Sequence, residues 1–178
     1  LALTIEHPEY SSNRLGIYSM SLPPFFVKPL PFTVSNQGNQ LTSNPVLNLS
    51  DFHYAGATWK SSGASNLFFS GDLGAATAVD FAGMLSATAL AGTNFMFAMN
   101  SSAMNGIGTG AAYTSGTVPF IAPALTTRTL YNSHLEIGTP QTYRYFDFYV
   151  SSHTGDFEAA LLAVTEVFDG GFHELFGE

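Results

Sequence analysis

The stretch from Trp59 to Asp80 constrains the fold of this chain more than any other. It holds the single tryptophan, then Lys60-Ser61-Ser62-Gly63, the apolar pair Phe68-Phe69, Gly71-Asp72-Leu73-Gly74 and Ala78-Val79-Asp80. Short apolar runs bounded by Gly, Ser and Asp are the mark of strands joined by tight turns. The pattern predicts one strand over Ser65 to Ser70, a turn at Asp72-Leu73-Gly74, and a second strand over Ala76 to Leu85. Trp59 has two readings, an exposed platform or a core anchor. Burying an indole removes about 200 Å² from water, worth roughly 5 kcal/mol at ~25 cal/mol/Å² before chain entropy is subtracted. The neighbouring strand pattern favours the anchor.

The same grammar continues through the chain. Val46 to Asp51 is turn-rich, and from Thr93 to Met99 the residues Phe95, Phe97 and Met99 alternate with Asn94, Met96 and Ala98. Alternation of this kind puts the two sets on opposite faces of a strand. Tyr143 to Ser151 is the clearest strand, with Phe146, Phe148 and Val150 on one face and Tyr145, Asp147 and Tyr149 on the other. Asn100 to Gly116 is small, polar and rich in glycine, hence a loop, and its Gly106 to Gly110 stretch reads as a flexible surface segment. The segment Phe157 to Phe168 is open between two structures. Phe157, Leu161, Val164 and Phe168 suit one face of a helix beginning near Asp156, and its Ala and Leu content agrees. The same residues also alternate as a buried strand.

Residues 1–34 differ from the rest of the chain. Prolines at 8, 23, 24, 29 and 31 stand among bulky side chains and forbid both helix and central strand. The expectation is an extended Pro-rich N-terminal arm, with Phe25, Phe26 and Phe32 as its contact residues. It lies along its own domain or reaches a neighbouring subunit. A sandwich domain is expected over 35–170 and a tail over 171–178, the tail carrying Phe172, Leu175 and Phe176 as assembly contacts.

Composition narrows the partners. Charged residues make up 10% of the 178, against about 25% in an average globular protein. A surface so poor in charge belongs to a protein covered by partners or working outside the cell. The net charge of -8 argues against nucleic acid, which needs clustered cations, and against docking on an anionic membrane. No apolar run approaches the roughly 18 residues of a spanning helix, so membrane insertion is not expected. Leu1 to Pro8 turns polar too early for a secretory leader, and the missing initial Met means that something was removed or left out at the start. The absence of cysteine excludes disulfides and thiol chemistry.

Reactive constellations are missing too. Gly106-Ile107-Gly108-Thr109-Gly110 has the wrong spacing for a dinucleotide loop and lacks a phosphate-binding lysine. His7, His53, His134, His153 and His173 show no metal-ligand spacing, and no nucleophile elbow is present. Asp51, Asp72, Asp80, Glu136, Asp147, Asp156, Glu158 and Glu166 include several at turns, where carboxylates cap backbone N–H groups. No catalytic residue, cofactor or metal is therefore assigned, and no enzyme is expected. Tyr113, Tyr131, Tyr145 and Tyr149 remain as aromatics that either stack on sugar rings or pack at an interface.

With those residues in place, the chain resembles the discoidin-like (galactose-binding-like) β-sandwich, in the version found in tailed-bacteriophage virion proteins. Pro45-Val46-Leu47-Asn48-Leu49-Ser50-Asp51, Thr58-Trp59-Lys60-Ser61, Gly71-Asp72-Leu73-Gly74 with Ala78-Val79-Asp80, and Tyr143 to Val150 occur in the order of that family's motifs. Asp147 departs from it, standing where a basic residue is common. The resemblance implies an all-β jelly-roll sandwich and makes Phe157 to Phe168 a strand. It also implies a non-enzymatic structural protein of a virion, located in the extracellular particle and assembling through its termini with further copies and other virion proteins. The alternative is a carbohydrate-binding module recognising a surface glycan.

Overall fold

A computed structural model of the chain describes residues 3–4, 26–50, 57–63, 66–120, 130–153 and 155–168. Its strands are β1 (Leu3–Thr4), β2 (Phe26–Val27), β3 (Thr33–Gly38), β4 (Trp59–Lys60), β5 (Leu67–Ala87) and β6 (Asn94–Asn100). They continue with β7 (Tyr113–Thr114), β8 (Val118–Pro119), β9 (Tyr131–Ser151), β10 (Glu158–Ala159), β11 (Leu161–Thr165) and β12 (Val167–Phe168). The described helix is one 3-10 turn, Val46–Ser50, which buries Val46 and Leu49. This is the discoidin-like β-sandwich, all-β and antiparallel.

Two strands of 21 residues, β5 and β9, organise it. Each takes part in two groups of pairings. Leu67 to Asp72 pairs with Tyr145 to Val150, which β3 flanks on one side and β6 on the other. Beyond a register break, Thr77 to Ala87 pairs with Tyr131 to Tyr143, and β11 joins alongside. The breaks are reciprocal. Residues 73–76 of β5 stand against Arg144 alone, and residues 137–140 of β9 stand against Asp80 alone. Extra residues on one strand bend it and steepen its twist, so a single strand can serve both layers of a sandwich.

The turn expected at Asp72-Leu73-Gly74 takes the form of a wide bulge, and β5 keeps β9 as its partner on both sides of it. Gly74 has φ +79, and its N–H donates to Asp72 Oδ1 at 2.7 Å, so the local chemistry is that of a turn. What converts turn chemistry into a bulge is the partner strand, whose pairing resumes at Tyr143.

Inside, the alternation in β6 and β9 works as the sequence pattern requires. Phe95, Phe97, Met99, Phe146, Phe148 and Val150 are buried together with Leu67 and Phe69. Phe95 stacks on Phe148 at 5.4 Å, and Phe69 meets Phe146 edge-on at 5.8 Å. Gly71 completes this layer by lacking a side chain: a Cβ there would stand 2.2 Å from the Phe146 ring. The other half of β5 and β9 supplies Val79, Ala82, Met84, Tyr131 and Ile137, and β11 adds Leu162 and Val164.

The helical reading of Phe157 to Phe168 is overturned. Leu161 to Thr165 pairs residue by residue with Leu85 to Phe81. Helix propensity differences of a few tenths of a kcal/mol per residue cannot compete with a sheet edge that offers both hydrogen bonds and a buried apolar face.

The described part of the arm follows the first of its two readings. From Phe26 onward it packs on its own chain. Phe26 and Val27 pair with β1 on one side and β12 on the other. The Leu30 N–H donates to the Val164 carbonyl at 2.9 Å, and the Thr165 hydroxyl donates to the Lys28 carbonyl. Phe32, expected as an assembly contact, lies in the core against Phe69 and Phe146. Two extended prolines leave a bulky ring that is best buried at home. Phe25, Phe172, Leu175 and Phe176 lie outside the described residues.

Candidate functional site

Loops gather at the end of the sandwich where β5 begins, β6 begins and β9 finishes. There β4 and β10 form a two-residue ribbon, pairing Lys60 with Glu158 and Trp59 with Ala159. Trp59 is fully buried beneath it, edge-on to Phe69 at 5.2 Å and to Phe157 at 6.3 Å. Its Nε1–H donates to Gln40 Oε1 at 2.9 Å, and the same oxygen accepts the Val46 N–H at 3.0 Å. Gln40 thus satisfies a buried indole and the start of the 3-10 turn together. Phe120 and His153 extend this aromatic floor around Phe157.

Above the floor stands a polar rim. The Thr58 hydroxyl donates to Glu158 Oε1 and accepts from Asn44 Nδ2 at 3.2 Å. Asn48 Nδ2 donates to the Thr58 carbonyl at 2.8 Å, while the Glu158 N–H donates to Thr88 Oγ1 at 3.0 Å. Lys60 Nζ lies 3.4 Å from Asp156 Oδ2, with the Asp156 side chain 65% exposed. Exposed Leu47 and Leu90 add apolar surface on the loops flanking Asn48 and Thr88. Carboxylates, amides, a hydroxyl and an ammonium on a rigid base can exchange hydrogen bonds with a ligand rich in hydroxyl groups.

The tyrosines do not converge. Tyr131 is buried in the core. Tyr113 is half-buried against it, and burial raises its phenol above the usual value of 10.0. Tyr145 and Tyr149 share the outward face of β9 but sit on either side of Asp147. Tyr145 receives the Arg144 guanidinium at 5.0 Å over its ring, and the Tyr149 hydroxyl accepts from Asn66 Nδ2. Arg144 also grips Asp72 through two bonds of 2.7 and 2.8 Å. Hydrogen bonds from Arg144 and from the Gly74 N–H hold the Asp72 carboxyl down at about 2.

Among the other candidates, His134 lies 3.4 Å from Glu136 and stacks on Phe81, and His153 Nδ1 is 3.0 Å from the Gly155 carbonyl. His7, His53, His173 and Asp51 lie outside the described residues. No group of three or more His, Cys, Asp or Glu that could hold a metal occurs among the described residues.

Asp147 is the residue whose role the pattern alone missed. It is buried on the outer face of the sheet, and its Oδ2 accepts the Gly108 N–H at 2.8 Å. The loop from Asn100 to Gly116 is tied down, including the Gly106 to Gly110 stretch expected to be flexible. Its Ala112 N–H donates to the Met99 carbonyl, Asn100 Nδ2 donates to the Gly110 carbonyl, and Tyr113 and Thr114 pair with β6. A lone acid inside an aromatic strand, with alternate glycines elsewhere, was the available signal.

Comparison with known proteins supports the fold. No family model matches the chain, and no curated protein does. Solved structures do. A chitosan-binding module from a chitosanase/glucanase of Paenibacillus sp. IK-5 aligns at 16% identity with a TM-score of 0.54, over 78% of this chain and 96% of its own. The family 32 carbohydrate-binding module of C. perfringens NanJ, solved with galactose, aligns at 14% identity and TM-score 0.57, over 76% and 93%. XRCC1, solved bound to the DNA polymerase β catalytic domain, aligns at 9% identity and TM-score 0.54, over 78% and 99%. At identities this low the TM-scores show the shared sandwich alone, and among these neighbours one was solved with a sugar and another with a protein partner.

Proposed function

We propose that this chain is a non-catalytic carbohydrate-binding module whose glycan lies on the rim formed by Asn44, Thr58, Lys60, Asp156 and Glu158. The observation that carries the reading is the rim itself. Donors and acceptors stand side by side on a ribbon anchored over Trp59 and Phe157, at the loop end of a fold it shares with a galactose-bound and a chitosan-binding module. A sugar presents donors and acceptors on hydroxyls and an apolar ring face. The rim answers the first, and exposed Leu47 and Leu90 beside it can meet the second.

A glycan array followed by calorimetric titration tests the proposal. Asp156→Ala and Glu158→Gln are each expected to weaken binding about tenfold, the loss of one charge-assisted hydrogen bond of ~1.5 kcal/mol. Absence of binding to any arrayed glycan and to millimolar monosaccharides removes the reading.

A second reading, a structural component of a tailed-phage particle located in the virion, is favoured by one observation: charged residues are only 10% of the chain, as on a surface covered by partners. Detection of the chain in purified particles, and its loss on deleting residues 1–25, is the expected result. Particles that lack the chain end that reading.

A further inference from the structure

The chain contains a single Asn-Gly step, Asn105-Gly106, and it lies in the loop that crosses the outer face of the sheet. A glycine after an asparagine leaves the following backbone nitrogen without a side chain to shield it. Packing demands the glycine. Gly106 has φ +88, and a Cβ on it would stand 2.0 Å from the Phe68 ring. Gly108 follows with φ +68, a Cβ there would stand 2.7 Å from the Met96 methyl, and its N–H donates to Asp147 Oδ2 at 2.8 Å. The reactive step is therefore built into the way the loop seats on the sheet.

Local geometry readies the asparagine. Asn105 is exposed, and its Oδ1 accepts the Ile107 N–H at 3.2 Å. That Asx turn folds the side-chain amide back across the Gly106 nitrogen. The same bond polarises the Cγ carbonyl and stands where negative charge gathers on Oδ1 as a nucleophile adds. On the inner side the Gly106 N–H turns toward the Asp147 carboxyl, whose Oδ1 is buried without a hydrogen-bond partner. A carboxylate in that place can accept the amide proton as the nitrogen attacks. Electrophile, nucleophile and base meet within one loop and the strand beneath it. The asparagines followed by serine are held differently. Asn100 Oδ1 accepts the Ser101 N–H at 2.9 Å and its Nδ2 donates to the Gly110 carbonyl, so nucleophile and leaving group are both engaged. Asn132 lies within β9, and its Oδ1 accepts the Ser86 N–H at 2.9 Å.

We propose that this loop drives Asn105 to modify itself, with the Gly106 nitrogen attacking its Cγ. The new bond joins Gly106 N to Asn105 Cγ, the Cγ–Nδ2 bond breaks, and ammonia leaves with the proton that Gly106 gave up. The product is a succinimide. Water then opens that ring at either carbonyl and leaves aspartate or isoaspartate at position 105, with no oxidant or cofactor consumed. Both products carry an added negative charge, and isoaspartate also lengthens the backbone by a carbon. The longer backbone carries Gly106 and Gly108 out of register with Phe68, Met96 and the Asp147 carboxyl, so the loop comes off the sheet.

Peptide mapping by mass spectrometry of the full chain, aged in buffer near neutral pH, tests the proposal. The peptide holding Asn105 is expected to gain about 1 Da and to yield isoaspartate, while those holding Asn100 and Asn132 keep their mass. Asn105→Ser keeps a turn-forming side chain but has no amide to lose, and is expected to abolish the gain. Asp147→Asn keeps an acceptor for Gly108 but takes up no proton, and is expected to slow conversion at least about tenfold. Converted chain, separated by its added charge, is expected to lose hydrogen-exchange protection at the Gly108 amide. No gain at Asn105, an equal gain at Asn100 and Asn132, or undiminished conversion in Asp147→Asn overturns the proposal, as does converted chain with Gly108 still protected. Should Asp147→Asn not fold, the natural chain in urea decides: slower conversion there than in the folded chain is expected, and equal or faster conversion refutes activation by the loop.

Discussion

Replacing Trp59 by alanine measures how much of this fold rests on one ring. The side chain is fully buried, so its removal forfeits transfer free energy of about 5 kcal/mol for ~200 Å². Two edge-to-face contacts, with Phe69 and Phe157, contribute roughly 0.5–1.5 kcal/mol each beyond area. The Nε1–H bond to Gln40 adds about 1 kcal/mol, although Gln40 Oε1 keeps the Val46 N–H and is not orphaned. Partial collapse of the cavity offsets part of this sum, and large aromatic-to-alanine changes in cores settle at about 3–5 kcal/mol. Trp59→Phe keeps a ring between Phe69 and Phe157 and should lose only the hydrogen bond and the smaller ring's deficit, about 2 kcal/mol. Urea denaturation is the assay. At a slope of ~2 kcal/mol per M, a loss of about 4 kcal/mol moves the midpoint down by about 2 M with the slope unchanged. A loss below about 1 kcal/mol for Trp59→Ala would refute the claim that the two layers close over the indole. A cycle with Gln40→Leu then isolates the hydrogen bond, since the coupling should be about 1 kcal/mol.

The remaining predictions are more local. Asp72 is held down at about 2, so the Arg144 pair stabilises fully above the ordinary 3.8 and is lost as pH falls toward 2. Thermal melts of Asp72→Asn or Arg144→Gln should lose that part of the acid dependence, and an unchanged melting profile between about pH 2 and pH 4 counts against the pair as a clasp on the bulge. Gly71→Ala forces a methyl into the Phe146 ring and should destabilise by about 1–3 kcal/mol; a neutral result in urea would show that the ring moves aside freely. The glycan titration completes the set.

Local chemistry carried the reading in some places and misled it in others. The alternation of Phe146, Phe148 and Val150 against Tyr145, Asp147 and Tyr149 marks a strand with one buried face, because a period of two leaves no other way to segregate those side chains. The motif order around Trp59, Asp72 and Tyr143 pointed to the discoidin-like sandwich, and the solved relatives share that fold. Phe157 to Phe168, by contrast, carries two periodicities at once, and only the edge of β5 chooses between them. The Gly71 to Gly74 stretch has turn residues and local turn bonding, yet it opens no new hairpin, because β9 resumes pairing with the same strand beyond it. Phe32 follows two prolines and looks like part of a free arm, but it sits between Phe69 and Phe146.

The candidate rim shows the same division. Nothing in the separation of Asn44, Thr58 and Glu158 along the chain announces that they share hydrogen bonds; Thr58 and Glu158 are 100 positions apart. From residue order alone came the class of fold, the inward faces of the long strands and the poverty of charge. These follow from side-chain period and composition, which are properties of neighbours along the chain. Tertiary structure decided where the strands bend between layers, which polar groups meet, and that Asp147 is a buried acid under a glycine loop. Those outcomes depend on contacts between segments far apart, whose free energies no local window contains.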